Sequence, residues 1–218
     1  MAPSTRLTGY ATMPDLFDTA GPELLPVRDA ELVLWRSPDL GIDPGTLLAE
    51  LIANTPWRAE TVKVWGKFHP QPRLIAWYGD RNRRLAYAGI TLGALPWTPT
   101  LAALKQAVER FCGHAFNSVL LNYYRDQHDS VGMHSDDESE LGKTPVIASL
   151  SVGAVRTLVF RHKHDTTLKS IKLPLPSGSL LLMKGATQAN WKHGIPKQSQ
   201  PCGPRVNLTF RQVRVAAG

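Results

Sequence analysis

The amino-acid sequence predicts an α+β protein that is mainly β, with a sandwich or jelly roll in its C-terminal half and two supporting helices ahead of it. Short β-type runs follow one another after Gly113 with no helical pattern between them, and two capped amphipathic stretches precede them. With 43% of the 218 residues apolar, the chain can bury a full core.

The first forty residues, rich in Pro and Gly and with little periodicity, read as an irregular arm. Asp43 and Pro44 then supply a cap and a first-turn residue, and Leu47, Leu48, Leu51 and Ile52 make one apolar stripe. A second helix runs from Thr98 as cap and Pro99, through Leu101, Leu104, Val108 and Phe111, to Gly113 as stop. Between the helices lie aromatics and cations, among them Trp65, Lys67, Phe68, Arg73, Trp77, Tyr78, Arg81, Arg83, Arg84 and Tyr87, in what reads as short strands and loops. Beyond Gly113 the predicted strands are 119–124, 146–152, 157–161, 171–175, 179–183 and 206–213, punctuated by Pro145, Pro174, Pro176, Gly178 and Gly185.

Composition limits the function classes. Two cysteines, Cys112 and Cys202, exclude a cysteine-rich zinc site and a disulfide framework, and they fit a reducing compartment. Apolar runs such as Leu180-Leu181-Leu182-Met183 are too short to span a bilayer, and the opening residues carry no basic stretch followed by an apolar core. A soluble intracellular protein with no membrane partner is expected. Lys plus Arg is 25 against 18 Asp plus Glu, a net charge of +7. Such a surface suits polyanions, nucleic acid above all, although it also serves plain solubility.

Two constellations carry chemistry. In His134-Ser135-Asp136 the residues at i and i+2 of an extended segment point to one side, so an imidazole and a carboxylate converge. Taken alone the pattern reads as a polar turn. His193, after a strand and a loop, can return beside it, and two His with one carboxylate make the facial triad of a non-haem iron(II) site. A tetrahedral zinc site accepts the same ligands.

The terminal run Arg205-Val206-Asn207-Leu208-Thr209-Phe210-Arg211 bears on that choice. With a period of two, Arg205, Asn207, Thr209 and Arg211 face one way and Val206, Leu208 and Phe210 the other. Two arginines and an amide on the inner face of a barrel strand are costly unless an anion lies there. Spaced about 20 Å along the strand, the two guanidinium groups can fold inward and bracket a short dicarboxylate. A solvated edge strand is the plainer alternative. Asn122 and Tyr124, again at i and i+2, can add neutral donors.

These residues together resemble the AlkB family of iron(II)- and 2-oxoglutarate-dependent nucleic-acid dealkylases. The resemblance runs through FNSVLLNYYRDQHDSVGMHSDDESELG from Phe116, PVIASLSVGAVRTLVFRHK from Pro145, GSLLLMKGATQANWKHGIP from Gly178 and PRVNLTFRQV from Pro204, with QPRLIAWYGD from Gln71 upstream. It implies a double-stranded β-helix core over residues 114–217, preceded by residues 1–113 as an N-terminal extension with supporting helices and a nucleotide-recognition lid. It implies that His134, Asp136 and His193 hold Fe(II), and that Arg205 and Arg211 grip 2-oxoglutarate with help from Asn122, Tyr124 and Asn207. O2 is the remaining co-reactant.

Tyr87 falls near the family's base-stacking aromatic, with Trp77 and Tyr78 as other candidates, and Glu138 matches an acidic residue that reads the damaged base. Arg81, Arg83, Arg84 and Arg161, together with Lys63, Lys67, Arg73 and Lys163, are the expected phosphate contacts. The implied activity is oxidative demethylation of 1-methyladenine- or 3-methylcytosine-type bases in DNA or RNA by a monomer. A bacterial cytoplasm is favoured over a nucleus, since no basic localisation run stands out. A protein or lipid substrate, and a nucleic-acid-binding module with a vestigial pocket, are the rival readings. His162 and His164 are expected at a polar hairpin end, Trp35, Trp57, Trp97 and Trp191 in packing, and Cys112 buried and inert.

Overall fold

In a computed structural model of the chain, which describes residues 21–64, 67–80, 84–87 and 90–214, both expected helices form where their caps dictate. Asp43 caps α1 (Pro44–Asn54) by accepting from the Thr46 amide at 2.8 Å, and Pro44 stands in the first turn, where a missing N–H is harmless. Thr98 caps α2 (Pro99–Cys112) through the Leu101 amide, and Gly113 ends it in the left-handed region at φ 60°.

The strands come in two groups. Ahead of α2 lie β1 (Glu23–Leu25), β2 (Glu31–Trp35), β3 (Arg58–Val64), β4 (Lys67–Gly79), β5 (Arg84–Tyr87) and β6 (Ile90–Gly93). After it come β7 (Ser118–Tyr124), β8 (Val131–His134), β9 (Ile147–Gly153), β10 (Arg156–His162), β11 (Ile171–Leu175) and β12 (Leu180–Lys184). The four-residue α3 (Thr187–Asn190), β13 (Trp191–Ile195) and β14 (Arg205–Arg211) complete the chain. All named strand pairings are antiparallel. They build an eight-stranded sheet in the order β1-β2-β12-β9-β14-β7-β4-β3, a four-stranded sheet β11-β10-β13-β8, and the separate hairpin β5-β6.

Three layers follow from the side-chain alternation. Leu47 and Leu51 of α1 and Leu101, Leu104 and Val108 of α2 pack on one face of the large sheet, against Val119, Leu121, Leu150, Val206, Leu208 and Phe210. The other face meets the small sheet, where Leu120, Ile147, Leu181 and Met183 pack against Leu158, Phe160, Leu173, Trp191 and Ile195. The central strands are therefore covered on both sides, and β7, β9 and β14 read as continuous buried runs. This sandwich is the jelly roll that the strand spacing predicts.

Of the irregular arm expected over the first forty residues, 1–20 lie outside the described residues, and residues 21–42 depart from it. β2 enters the large sheet beside β12, with Leu32, Leu34 and Val33 buried on its two faces, because three adjacent apolar residues fit a strand covered on both sides. Two further strands, β8 and β13, were not foreseen either. Cys112 and Cys202 are both free, and among the described residues no helix is long and apolar enough to cross a membrane.

Candidate metal and anion site

β8 and β13 pair with His134 opposite His193, and that register sets the site. A Cβ on Gly194 would stand 2.9 Å from the backbone oxygens of Gly132 and Val131, so glycine there lets the two His-bearing strands approach this closely. The imidazole centroids are 4.6 Å apart. Asp136 follows β8 on the same side, with His193 Nε2 3.7 Å from its Oδ2 and His134 Nε2 4.0 Å from its Oδ1. One ligand atom from each of His134, Asp136 and His193 lies within 4.8 Å of the others.

The surroundings orient these groups for a cation. His134 Nδ1–H donates to the Gly132 carbonyl at 2.9 Å, which leaves the Nε2 lone pair facing Asp136. Burial, reinforced by His134, lowers the His193 pKa to about 3, so its imidazole is neutral, as a ligand must be. Burial alone would raise the Asp136 carboxyl, but Arg211, then His193 and His134, outweigh it and hold the group below the usual carboxylate range. The Asp136 amide donates to Gln188 Oε1 at 3.0 Å, which fixes the turn carrying the carboxylate. Two imidazoles and a carboxylate, crowded together around a shared space, are the donor set of an iron(II) or zinc ion.

The other wall of the same cavity is basic. Arg205, Asn207, Thr209 and Arg211 line it from β14, with Asn122 and Tyr124 from β7 and Ser149 from β9. Arg205 and Arg211 are 1% and 2% exposed. Arg211 Nη2 donates to Asp136 Oδ1, and Arg205 Nη2 donates to Ser151 Oγ at 2.9 Å. Nε and Nη1 of both arginines are buried without a partner. Four unsatisfied charged donors in one small cavity are a strong demand for an anion. Asn207 is pinned by Ser149 Oγ at 2.8 Å and the Leu150 carbonyl at 3.0 Å, and Asn122 Oδ1 accepts from Arg73 Nε at 2.7 Å.

All eight residues expected around metal and diacid thus meet in one cavity. Ser149, Ser151, Gln188 and Arg73 also serve it, and only their contacts, not their residue types, reveal that.

The outer candidates fare differently. Trp77 and Tyr78 are each 3% exposed and lie in the two cores on opposite faces of β4, so neither is a platform for a base. Arg73 is buried and holds Asn122 instead of a phosphate. Lys163 is tied to Asp137 and the Gln188 carbonyl. Arg161 is exposed on β10 opposite Lys192, outside the cavity lining. Glu138, two residues past Asp136, is not among the cavity-lining residues; burial raises its carboxyl against the pull of Arg211, and its Oε2 is unpartnered. Arg81 and Arg83, with Trp65, lie outside the described residues, and of Arg84 and Tyr87 only the backbone of β5 is described. His162 packs edge-on against Trp191 at 4.9 Å, and its Nδ1 accepts from the Asp165 amide.

Comparison with known proteins adds an independent line. Residues 44–211 match the family model of the 2OG-Fe(II) oxygenase superfamily. Mouse "Alpha-ketoglutarate-dependent dioxygenase alkB homolog 3" is 46% identical over 175 residues, covering 77% of this chain and 60% of the relative. Human "DNA oxidative demethylase ALKBH2" is 44% identical over 159 residues, covering 70% and 60%. The chain therefore spans about three fifths of these relatives' length. A solved structure described as "The structure of OsALKBH1" superposes with a TM-score of 0.58 at 15% identity, covering 87% of this chain and all of that one, a likeness of fold.

Proposed function

Because the chain belongs to the 2OG-Fe(II) oxygenase superfamily, we propose that it oxidatively demethylates N-alkylated bases, of the 1-methyladenine and 3-methylcytosine type, in DNA or RNA. The observation that carries this reading is one cavity holding both a His-Asp-His cluster and four unpartnered guanidinium donors. The names of the alkB-type relatives support the nucleic-acid substrate.

His134, Asp136 and His193 are the proposed iron ligands, and Arg205 and Arg211 the proposed grip on the two carboxylates of 2-oxoglutarate. When bound, iron(II) and 2-oxoglutarate with O2 supply the oxidising power, yielding succinate, CO2 and formaldehyde from the N-methyl carbon. The protein's own part is binding and exclusion. Asn122, whose Oδ1 is held by Arg73, can offer its NH2 to the diacid, Asn207 lines the wall held by Ser149 and Leu150, and Leu120, Leu158, Leu175 and Met183 give the cavity an apolar lining. Arg211 bridges the two halves, since it touches Asp136 and also lines the diacid pocket.

A methyl group on the Watson–Crick edge weakens pairing, so the damaged base leaves the stack at lower cost than its neighbours. Residues 1–113 are read as carrying the lid, with Tyr87 as the stacking ring and Arg81, Arg83, Arg84 and Arg161 towards phosphates. Glu138, whose buried Oε2 is unpartnered, is read as facing the cationic base.

The test is formaldehyde and succinate release from a 1-methyladenine oligonucleotide and from an N-methylated peptide, with iron(II) and 2-oxoglutarate. Turnover of the oligonucleotide alone, abolished by His134→Ala, is expected. Turnover of the peptide alone, or equal turnover by His134→Ala, overturns the reading.

A further inference from the structure

Arg156, the first residue of β10, is 1% exposed and takes no part in the cavity lining. Its Nη1 donates to the Asp126 carbonyl at 3.0 Å, and its Nη2 to the carbonyls of Asp129 at 2.8 Å and Pro196 at 2.7 Å. Asp126 and Asp129 belong to the loop between β7 and β8, which leads to His134, and Pro196 directly follows β13, which carries His193. The same guanidinium lies over the Tyr124 ring, 5.6 Å from its centroid, and Arg205 lies over that ring at 5.1 Å. Its Nε has no partner.

A fully buried cation whose hydrogen-bond acceptors are all neutral carbonyls is an expensive way to close a loop, and a second guanidinium on the same ring adds repulsion. A methionine of similar length would avoid both costs but leave the carbonyls of Asp126, Asp129 and Pro196 without that donor. The buried Asp129 carboxylate offsets part of that charge, and the crowding of two guanidinium groups on the Tyr124 ring is relieved further when a dianion lies beyond Tyr124 and Arg205.

We propose that Arg156 is a positioning residue for the diacid pocket: it fixes Tyr124 and through it the Arg205 head, and it adds positive potential behind them. This rests on the reading that the cavity takes 2-oxoglutarate. Arg156 acts through its neighbours and touches no reacting atom.

The test compares the Mn(II)-loaded full chain with Arg156→Met, Arg156→Lys and, as a control in the last turn of α2, Arg110→Ala, each titrated calorimetrically with 2-oxoglutarate. Arg156→Met is expected to weaken 2-oxoglutarate binding about tenfold or more, the scale of lost hydrogen bonds to a charged group. Its Mn(II) affinity should stay within about threefold of the parent. In turnover assays the KM for 2-oxoglutarate should rise while kcat at saturation holds. Arg156→Lys, which keeps the charge but not the three carbonyl bonds, should fall between Arg156→Met and the parent, and Arg110→Ala should match the parent.

If Arg156→Met does not fold, Arg156→Lys carries the same comparison. Unchanged 2-oxoglutarate affinity, or equal losses for diacid and metal, overturns the positioning role alone. A parent chain that binds Mn(II) but no 2-oxoglutarate overturns the cavity reading and this proposal with it.

Discussion

Asp136 has two different kinds of neighbour, the imidazoles of His134 and His193 on one side and the guanidinium of Arg211 on the other. Removing Arg211 therefore does more than remove a diacid contact, because it strands a fully buried carboxylate. Arg211→Met should lower stability by ~3–5 kcal/mol in urea unfolding and weaken Mn(II) as well as 2-oxoglutarate. Arg205→Met, whose guanidinium touches Ser151 and Tyr124 but no metal ligand, should weaken 2-oxoglutarate alone. Equal effects of the two substitutions on metal would contradict this division.

Cys112 gives a pH-dependent case. Burial pushes its thiol up to about 12, so the folded state favours the protonated form. That contribution to stability is fully present below the ordinary thiol range and is lost as pH rises through about 12. Cys112 is half-buried, so iodoacetamide at pH 7.5 should modify it more slowly in native protein than in denaturant, read by mass spectrometry. Equal rates would contradict the raised thiol.

Residues on β14 were legible because a period-two alternation of charge and bulk has one physical solution in a covered strand. Trp77 and Tyr78 were not: aromatics beside cations resemble an exposed platform, and only the helices and the small sheet, covering β4 on opposite faces, bury them both.

Strands whose partners define them are the hardest to read locally. β8 is Val-Gly-Met-His and β13 is Trp-Lys-His-Gly-Ile, each interrupted by a glycine that lowers any local β preference. The pairing of β13 with β10, and of β8 with β13, makes them strands. That origin gives a sharp comparison. Gly194→Ala puts a methyl group 2.9 Å from two backbone oxygens, whereas Gly132→Ala meets nothing within 4 Å. Gly194→Ala should part the His-bearing strands and lose Mn(II) binding, measured by electron paramagnetic resonance, while Gly132→Ala keeps it. Equal affinities would show that the close approach does not set the site.

The helices, by contrast, were written plainly in their caps. Asp43→Ala should cost about 1 kcal/mol in chemical unfolding, with no change in metal affinity, because α1 packs on the face of the large sheet opposite the cavity.

Taken whole, the molecule is a sandwich in which helices seal one side of the large sheet and leave its other side free to form a cavity with the small one. The order of chemistry along the chain, His-x-Asp, then His, then two arginines on one strand, was legible as a set: the arginines alternate on a strongly patterned strand, and the two histidines, on locally weak strands, gain meaning only beside them. The extra strands β1 and β2 at one end of the large sheet were not, since residues before Asp43 join it through partners more than a hundred positions away. The net charge of +7 belongs to this level too. Affinity for a methylated oligonucleotide should fall with added salt on a log–log plot, by about 0.7–0.9 per phosphate neutralised, and salt-independent binding would contradict a phosphate-holding surface.

An anaerobic crystal structure with Mn(II) and 2-oxoglutarate probes the shared cavity itself. The metal should lie about 2.0–2.3 Å from Nε2 of His134, Nε2 of His193 and an Asp136 oxygen, with the diacid chelating it and its carboxylates met by Arg205 and Arg211. Metal bound away from these three side chains, or a diacid that touches neither arginine, would contradict the account.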